Sequence, residues 1–290
     1  MERYTDNGLC NHIKEAVDKG AITDLQFYDI EKSLLVVAKK KDNMPIALFI
    51  DDRCENPLAG LTAEEKKYGN VCYSLAKQAK LPLLWIRYVD VPILTNDDFV
   101  YVYDAGKAAE FKKVKMRQIV DILHEHGIAC ELENRSPRKG KNDSLSSAFH
   151  LWQRECLKVG VFTDIDLIRI DGSEVKEILE LKRSFYSLDS WRPFYFDINN
   201  FAIIKNLCNR LGNVSFKIIY NTQVREIPYN ASVTDIYHKT VKQQSGEVYY
   251  DKLDRLKVFD VELRDDVYFY PLPYPVFKEF ITIEDFLHKK

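Results

Sequence analysis

The apolar positions of this chain switch between a period near two and a period near 3.6, the spacings that separate strands from helices. "HIKEAVDKG" (12–20) has helical spacing and ends at Gly20. "SLLVVAKK" (33–40) and "PIALFID" (45–51) are apolar runs flanking the polar "KDNM", which predicts two strands joined by a turn. Helical spacing returns in "TAEEKKYGNVCYSLAKQAK", with Thr62 at the N-cap and Glu65 in the capping-box position. "LPLLWIRY" (81–88) predicts a strand, and "AAEFKKVKMRQIVDILHEHG" (108–127) a helix stopped by Gly127.

"NRSPRKGKNDSLSS" (134–147) breaks the pattern: it is polar and basic, with Pro and Gly and no apolar period. It divides the chain into an α/β accessory domain (1–133), a basic linker (134–147) and a second domain (148–290). The second half repeats the alternation. "SLSSAFHLWQRECLKVG" predicts a helix, and "VFTDIDLIRID" and "VKEILELKRS" a β-hairpin around Asp171-Gly172. "DINNFAIIKNLCNRLG" predicts a helix with Asp197 as N-cap and Gly212 at its end, and "VSFKIIYNT" a strand. The tail predicts further short strands and loops. The fold class is α/β with two domains. No internal repeat of fixed period is visible.

The hairpin carries charges where a strand core should be apolar, and burying charge is costly. Side chains alternate across a strand, so Asp164 and Asp166 share one face, as do Glu180 and Lys182 on the next strand. Pairing the two strands would gather three carboxylates beside one ammonium. Clustered carboxylates repel unless a cation neutralises them. Mg²⁺ takes oxygen ligands and is commonly held by one or two carboxylates plus substrate phosphate. A neighbouring lysine can orient the attacking water or stabilise charge on the phosphate. The arrangement suits metal-assisted hydrolysis of a phosphodiester. The bland reading is a set of cross-strand ion pairs on a solvated hairpin face.

Composition narrows the alternatives. With 46% apolar and 30% charged residues over 290 positions, the chain is expected to fold. No apolar run approaches the roughly 20 residues of a membrane span. "MERYTDNGLCNHIKEAVDKG" lacks a signal-peptide core, so the cytoplasm is the expected location. The six cysteines are scattered with no CxxC pair, which disfavours a zinc knuckle or redox motif. His124 and His126 are two apart and would not share a helix face. A net charge of −2 leaves any polyanion site to a local patch. There is no GxxxxGK[ST] run, no GxGxxG after a strand and no GxSxG elbow.

Asp166, the turn, and Glu180-Leu181-Lys182 resemble the signature of the PD-(D/E)XK nuclease superfamily, over about residues 146–222. The resemblance implies a restriction-endonuclease-like mixed sheet flanked by helices. It places Asp166 as the metal-binding Asp with Asp164 as rival, Glu180 as second ligand and Lys182 as catalytic lysine. It adds Glu155 on the preceding helix as a further acid. It implies Mg²⁺, with Mn²⁺ substituting, and a nucleic-acid substrate, with DNA expected, cut in restriction, defence or repair. The Pro of the family name is absent, Thr163 preceding Asp164. A homodimer is the form in which such enzymes cut both strands, a need that two domains in one chain would remove. The rival is a catalytically inactive protein of the same fold that binds nucleic acid or assembles with a partner.

Backbone-binding candidates are Arg183, Arg192, Asn199, Asn200 and Lys205, the helix run Lys112, Lys113, Lys115 and Arg117, and the linker's Arg135, Arg138, Lys139 and Lys141. "SFYSLDSWRPFYF" interleaves Phe185, Tyr186, Trp191, Phe194 and Tyr195 with arginines and could stack on unpaired bases or pack as core. In the first half, "PIALFIDDRCENP…LPLLWIRY" resembles part of a very-short-patch-repair-like nuclease domain. Phe49 stands where that pattern has an acid, so Asp51 and Asp52 read as a strand end and not as an active site.

Overall fold

A computed structural model describes residues 8–27, 32–135, 137, 147–172, 174–193, 197–212, 214–225, 237–242, 248–264 and 272–288. The first half runs α1 (Gly8–Asp18), β1 (Leu25–Phe27), β2 (Lys32–Ala38), β3 (Pro45–Arg53), α2 (Ala63–Ala79), β4 (Leu83–Tyr88), β5 (Phe99–Asp104), β6 (Lys112–Lys115), α3 (Ile119–Glu125) and β7 (Glu131–Leu132). The second runs α4 (Ala148–Cys156), β8 (Leu157–Lys158), β9 (Val161–Ile165), β10 (Leu167–Asp171), β11 (Glu174–Ser184), α5 (Ile198–Leu211), β12 (Ser215–Arg225), β13 (Tyr237–Lys242), β14 (Val248–Arg264), β15 (Leu272–Ile281) and α6 (Ile283–Leu287). The protein is α/β, with mixed sheets flanked by helices.

Two large sheets form among the described residues. One has the order β6-β5-β4-β3-β2-β9, the other β1-β10-β11-β12-β14-β13 with β15 also on β14. Each has one parallel pair, β3 with β4 and β11 with β12, joined through α2 and α5. Such a parallel connection requires a crossover, which the helices supply. Thr62 and Glu65 close the expected capping box on α2, worth about 1 kcal/mol. Gly172 turns the β10–β11 hairpin with φ +61°.

The layers follow from which face of each strand is apolar. Leu34, Val36, Leu48 and Ile50 of one sheet and Ile168, Ile178, Phe216 and Ile218 of the other enclose α2 and α5 in a shared core. The outer face of the β2–β4 sheet is covered by α3 and α4 through Leu123, Phe149 and Trp152. The outer face of the β10–β12 sheet is covered by α1 and α6 through Leu9, Ile13 and Phe286.

Residues 1–133 and 148–290, expected as separate domains, exchange elements. β9 pairs antiparallel with β2, Leu35 opposite Asp164. β1 pairs antiparallel with β10, Leu25 opposite Arg169. Each helix goes with its strand, α1 to the second sheet and α4 to the first. The continuous run "VFTDIDLIRID" is therefore two strands in two sheets, parted at Asp166.

The order of elements also repeats. Helix, exchanged strand, hairpin, crossover helix and parallel strand appear first as α1, β1, β2, β3, α2, β4 and again as α4, β9, β10, β11, α5, β12. Counterparts are spaced almost evenly along the chain: α2 begins at Ala63 and α5 at Ile198, β4 at Leu83 and β12 at Ser215. No shared residue pattern accompanies the repeat, which is why the sequence conceals it.

The helix expected over 108–127 is helical only in its last part. Lys112–Lys115 forms the edge strand β6, paired with β5, with Lys113 over the exposed Phe99 ring at 4.6 Å. Pairing with the open side of β5 outweighs the helix-forming lysines of "KKVK".

Candidate functional site

β11 places Glu180 and Lys182 on the face that looks into the shared core layer, as the period of a strand requires. Lys182 Nζ lies 2.8 Å from Glu180 Oε1 and 3.2 Å from Asp197 Oδ1. Its ammonium stands 5.8 Å above the Phe201 ring. Asp166 sits where the chain leaves β9 for β10, and its Oδ2 accepts a hydrogen bond of 2.7 Å from the Leu181 N–H. Asp164, at the end of β9, stands opposite Leu35 on the face turned from the shared layer and reaches Asp166 and Glu180 through its charge alone. Glu180 is buried at the base of this group, while Asp164, Asp166, Lys182 and Asp197 are partly exposed. The cluster is open to solvent at its rim.

Three carboxylates, Glu180, Asp197 and Asp166, share one ammonium here. Burial and the charges of Glu180 and Asp164 hold the Asp166 carboxyl well above its usual range. Burial, opposed by Lys182 but reinforced by Asp164 and Asp197, pushes Glu180 up to about 7. Burial alone would lower the Lys182 pKa, but the charges of Glu180, Asp197 and Asp166 reverse this and raise it. Lys182 therefore stays a cation. Glu180 Oε2 and Asp197 Oδ2 are buried without a hydrogen-bond partner, an arrangement that costs about 1–3 kcal/mol per group and more for charged ones.

These features fit a divalent cation: excess negative charge, hard oxygen donors and a buried orphan oxygen. Among the described residues no three His, Cys, Asp or Glu side chains already converge as a ligand set. Lys182 takes up one oxygen each of Glu180 and Asp197, which keeps the carboxylates from closing on a common point.

Other expected residues lie elsewhere. Glu155, in the last turn of α4, pairs with Arg154 at 3.2 Å and lies 4.0 Å from Arg135, away from the hairpin. Arg183 points to the opposite face of β11 and pairs with the buried Asp251 at 3.1 Å. Asp251 also accepts from the Gly8 N–H of α1 and from Asn221. Arg192 donates to the carbonyls of Asp189 and Trp191 in its own loop. Asn199 is exposed and Lys205 half-buried on α5. Arg138, Lys139 and Lys141 lie outside the described residues, as do Phe194 and Tyr195.

The aromatic cluster divides. Trp191 is core, stacked on Tyr220 at 4.1 Å, while Phe185 and Tyr186 are exposed directly after β11. Tyr220 donates to the carbonyl of Tyr186 at 2.5 Å, fixing that loop to the sheet.

In the sequence Asp197 reads only as a helix cap. Asp197 does stand at the N-cap of α5, but its side chain makes no capping bond and turns to Lys182 instead. The available signal was an acid at the start of the crossover helix, just after the strand carrying Glu180 and Lys182.

In the first sheet Asp51 and Asp52 lie at the end of β3, as expected, and are fully buried there. Asp51 accepts from Tyr88 Oη at 2.8 Å and from Ser147 Oγ. Asp52 accepts from Trp85 Nε1 at 2.9 Å and pairs with Arg87 at 2.9 Å. Arg87 and Lys32 both reach Glu65, at 3.2 and 3.1 Å.

No protein-family model matches the chain, and none of the curated proteins searched matches it. No helix among the described residues is long and apolar enough to cross a membrane.

Proposed function

We propose that the protein is a metal-dependent endonuclease that hydrolyses phosphodiester bonds of DNA at the Asp166, Glu180 and Lys182 cluster. The observation that carries this reading is the charge imbalance around Lys182: Asp166, Glu180 and Asp197 against one ammonium, with an orphan buried oxygen on Glu180. Asp166 and Glu180 would hold Mg²⁺ or Mn²⁺, Asp164 acting through its charge alone. Bound there, the ion supplies Lewis-acid stabilisation of phosphate charge and acidifies a coordinated water.

In the reaction a water oxygen bonds to phosphorus as one P–O ester bond breaks. The water gives up a proton, the leaving oxygen takes one up, and the products are a phosphate monoester and a hydroxyl. Lys182, held protonated by its acidic neighbours, donates hydrogen bonds to the phosphate as its negative charge rises. Asp197 keeps that ammonium beside Glu180. The Leu181 N–H fixes the Asp166 carboxylate to β11.

Lys182→Ala tests the assignment. Cleavage of a DNA panel with Mg²⁺ should fall at least ~100-fold in a variant that remains folded, the scale on which loss of one stabilising donor acts, and chelator should abolish wild-type cutting. Undiminished cutting by the variant would remove these residues from the chemistry. The pairing of Lys182 with both Glu180 and Asp197 favours a second reading, a protein that binds nucleic acid without cutting it. Metal-independent binding with no cleavage of any substrate would select that one.

A further inference from the structure

The repeated order of elements gives the cluster a counterpart. The first cluster lies between the second hairpin strand, β11, and the start of its crossover helix, α5. Asp52 lies at the same place on β3, and Glu65 in the first turn of α2. Lys32 opens β2, opposite Asp52 in register, where the second half has Asp166 just before β10. Both clusters face the layer formed by α2 and α5, which pack against one another between the sheets.

The two clusters differ in charge balance. The second-half cluster sets Asp166, Glu180 and Asp197 against Lys182 alone. The first-half cluster sets Asp52 and Glu65 against Lys32 and Arg87, one cation for each acid. Arg87 pairs with Asp52 and Glu65 and donates to the Ala59 carbonyl at 2.9 Å, while Asp52 Oδ1 stays without a hydrogen-bond partner. An arginine cannot give up its proton, so its charge stays in place where a divalent ion would otherwise sit. A lysine two residues beyond the acid is also missing, since Cys54 follows Asp52 and Arg53.

We propose that the chain is an internal pseudo-dimer with one open and one closed half-site, and that as a monomer it cuts one strand of a DNA duplex per encounter. This rests on the hydrolytic reading above. A symmetric two-site enzyme breaks both strands, whereas a molecule with its second site filled by its own cations has chemistry for one. The exchanged strands β1 and β9 join the two units within one chain, each pairing with the other half's hairpin.

The test uses the full chain with supercoiled plasmid and Mg²⁺, following open-circular and linear products, with light scattering to give the mass of the protein in the same buffer. The expected result is a monomer that converts supercoiled DNA to open circles at a rate first order in protein, linear molecules appearing only after the open circles have accumulated. The variant Asp52→Asn should leave this pattern unchanged. Direct conversion to linear DNA, a dimeric mass, or a switch from linear to open-circular product in Asp52→Asn would overturn the proposal. No conversion by the wild type with Mg²⁺ strikes the hydrolytic reading itself and removes this inference with it.

Discussion

Glu180 is buried on β11 with one oxygen on Lys182 and the other without a partner, and its carboxyl is pushed up from 4.5 to about 7. A carboxyl raised in the folded state contributes stability that is present below the unfolded value and is lost as pH rises through the folded one. At about 1.4 kcal/mol per unit, the loss is on the order of 3 kcal/mol between about pH 4.5 and 7. In chelator, Glu180→Gln should therefore gain in Tm over the wild type as pH is raised from 5 to 8. A difference that stays flat across that range would show that Glu180 carries no such strain. Much of this site was legible because an acid, a turn and Glu-Leu-Lys fall on an apolar strand. The role of Asp197 was not, because an acid at a helix start reads first as a cap, and only the fold shows Lys182 within its reach. Arg183 was misleading for a related reason: one step along a strand reverses the face, which sent it to Asp251.

Local pattern fixed most elements, including the α2 capping box and the β10–β11 hairpin. Pairing partners were not legible. "VFTDIDLIRID" reads as one strand because Ile165 and Leu167 are equally apolar, yet they belong to different sheets. The exchange depends on a close approach at Gly160, where an added Cβ would stand 2.0 Å from the Ala38 carbonyl oxygen. Since the obstacle is backbone, Gly160→Ala must shift β9 away from the end of β2. It should cost about 1–3 kcal/mol, the range for overpacking, and speed amide exchange in β2 and β9 before the β11–β12 pair. Wild-type stability and exchange in that variant would mean the β9–β2 junction is not held as described.

Strand exchange makes the two sheets depend on each other. Arg169 of β10 pairs with Asp24, 2.5 Å away and next to β1, and donates to the Phe286 carbonyl at 2.9 Å. Both sheets also share the core around α2 and α5. Calorimetric unfolding should accordingly be one transition, with calorimetric and van't Hoff enthalpies equal. Two separated transitions would describe halves that fold apart, as a chain simply divided at 134–147 would do. The repeated order of elements is present in both halves, and the unbalanced acids in only one.

The most direct measurement is calorimetric titration of Mn²⁺ into the wild-type protein and into Asp166→Asn. The account predicts one binding site per chain in the wild type, with heat that disappears in the variant while its Tm in chelator holds or rises. Equal isotherms from the two proteins, or no heat from the wild type, would contradict it.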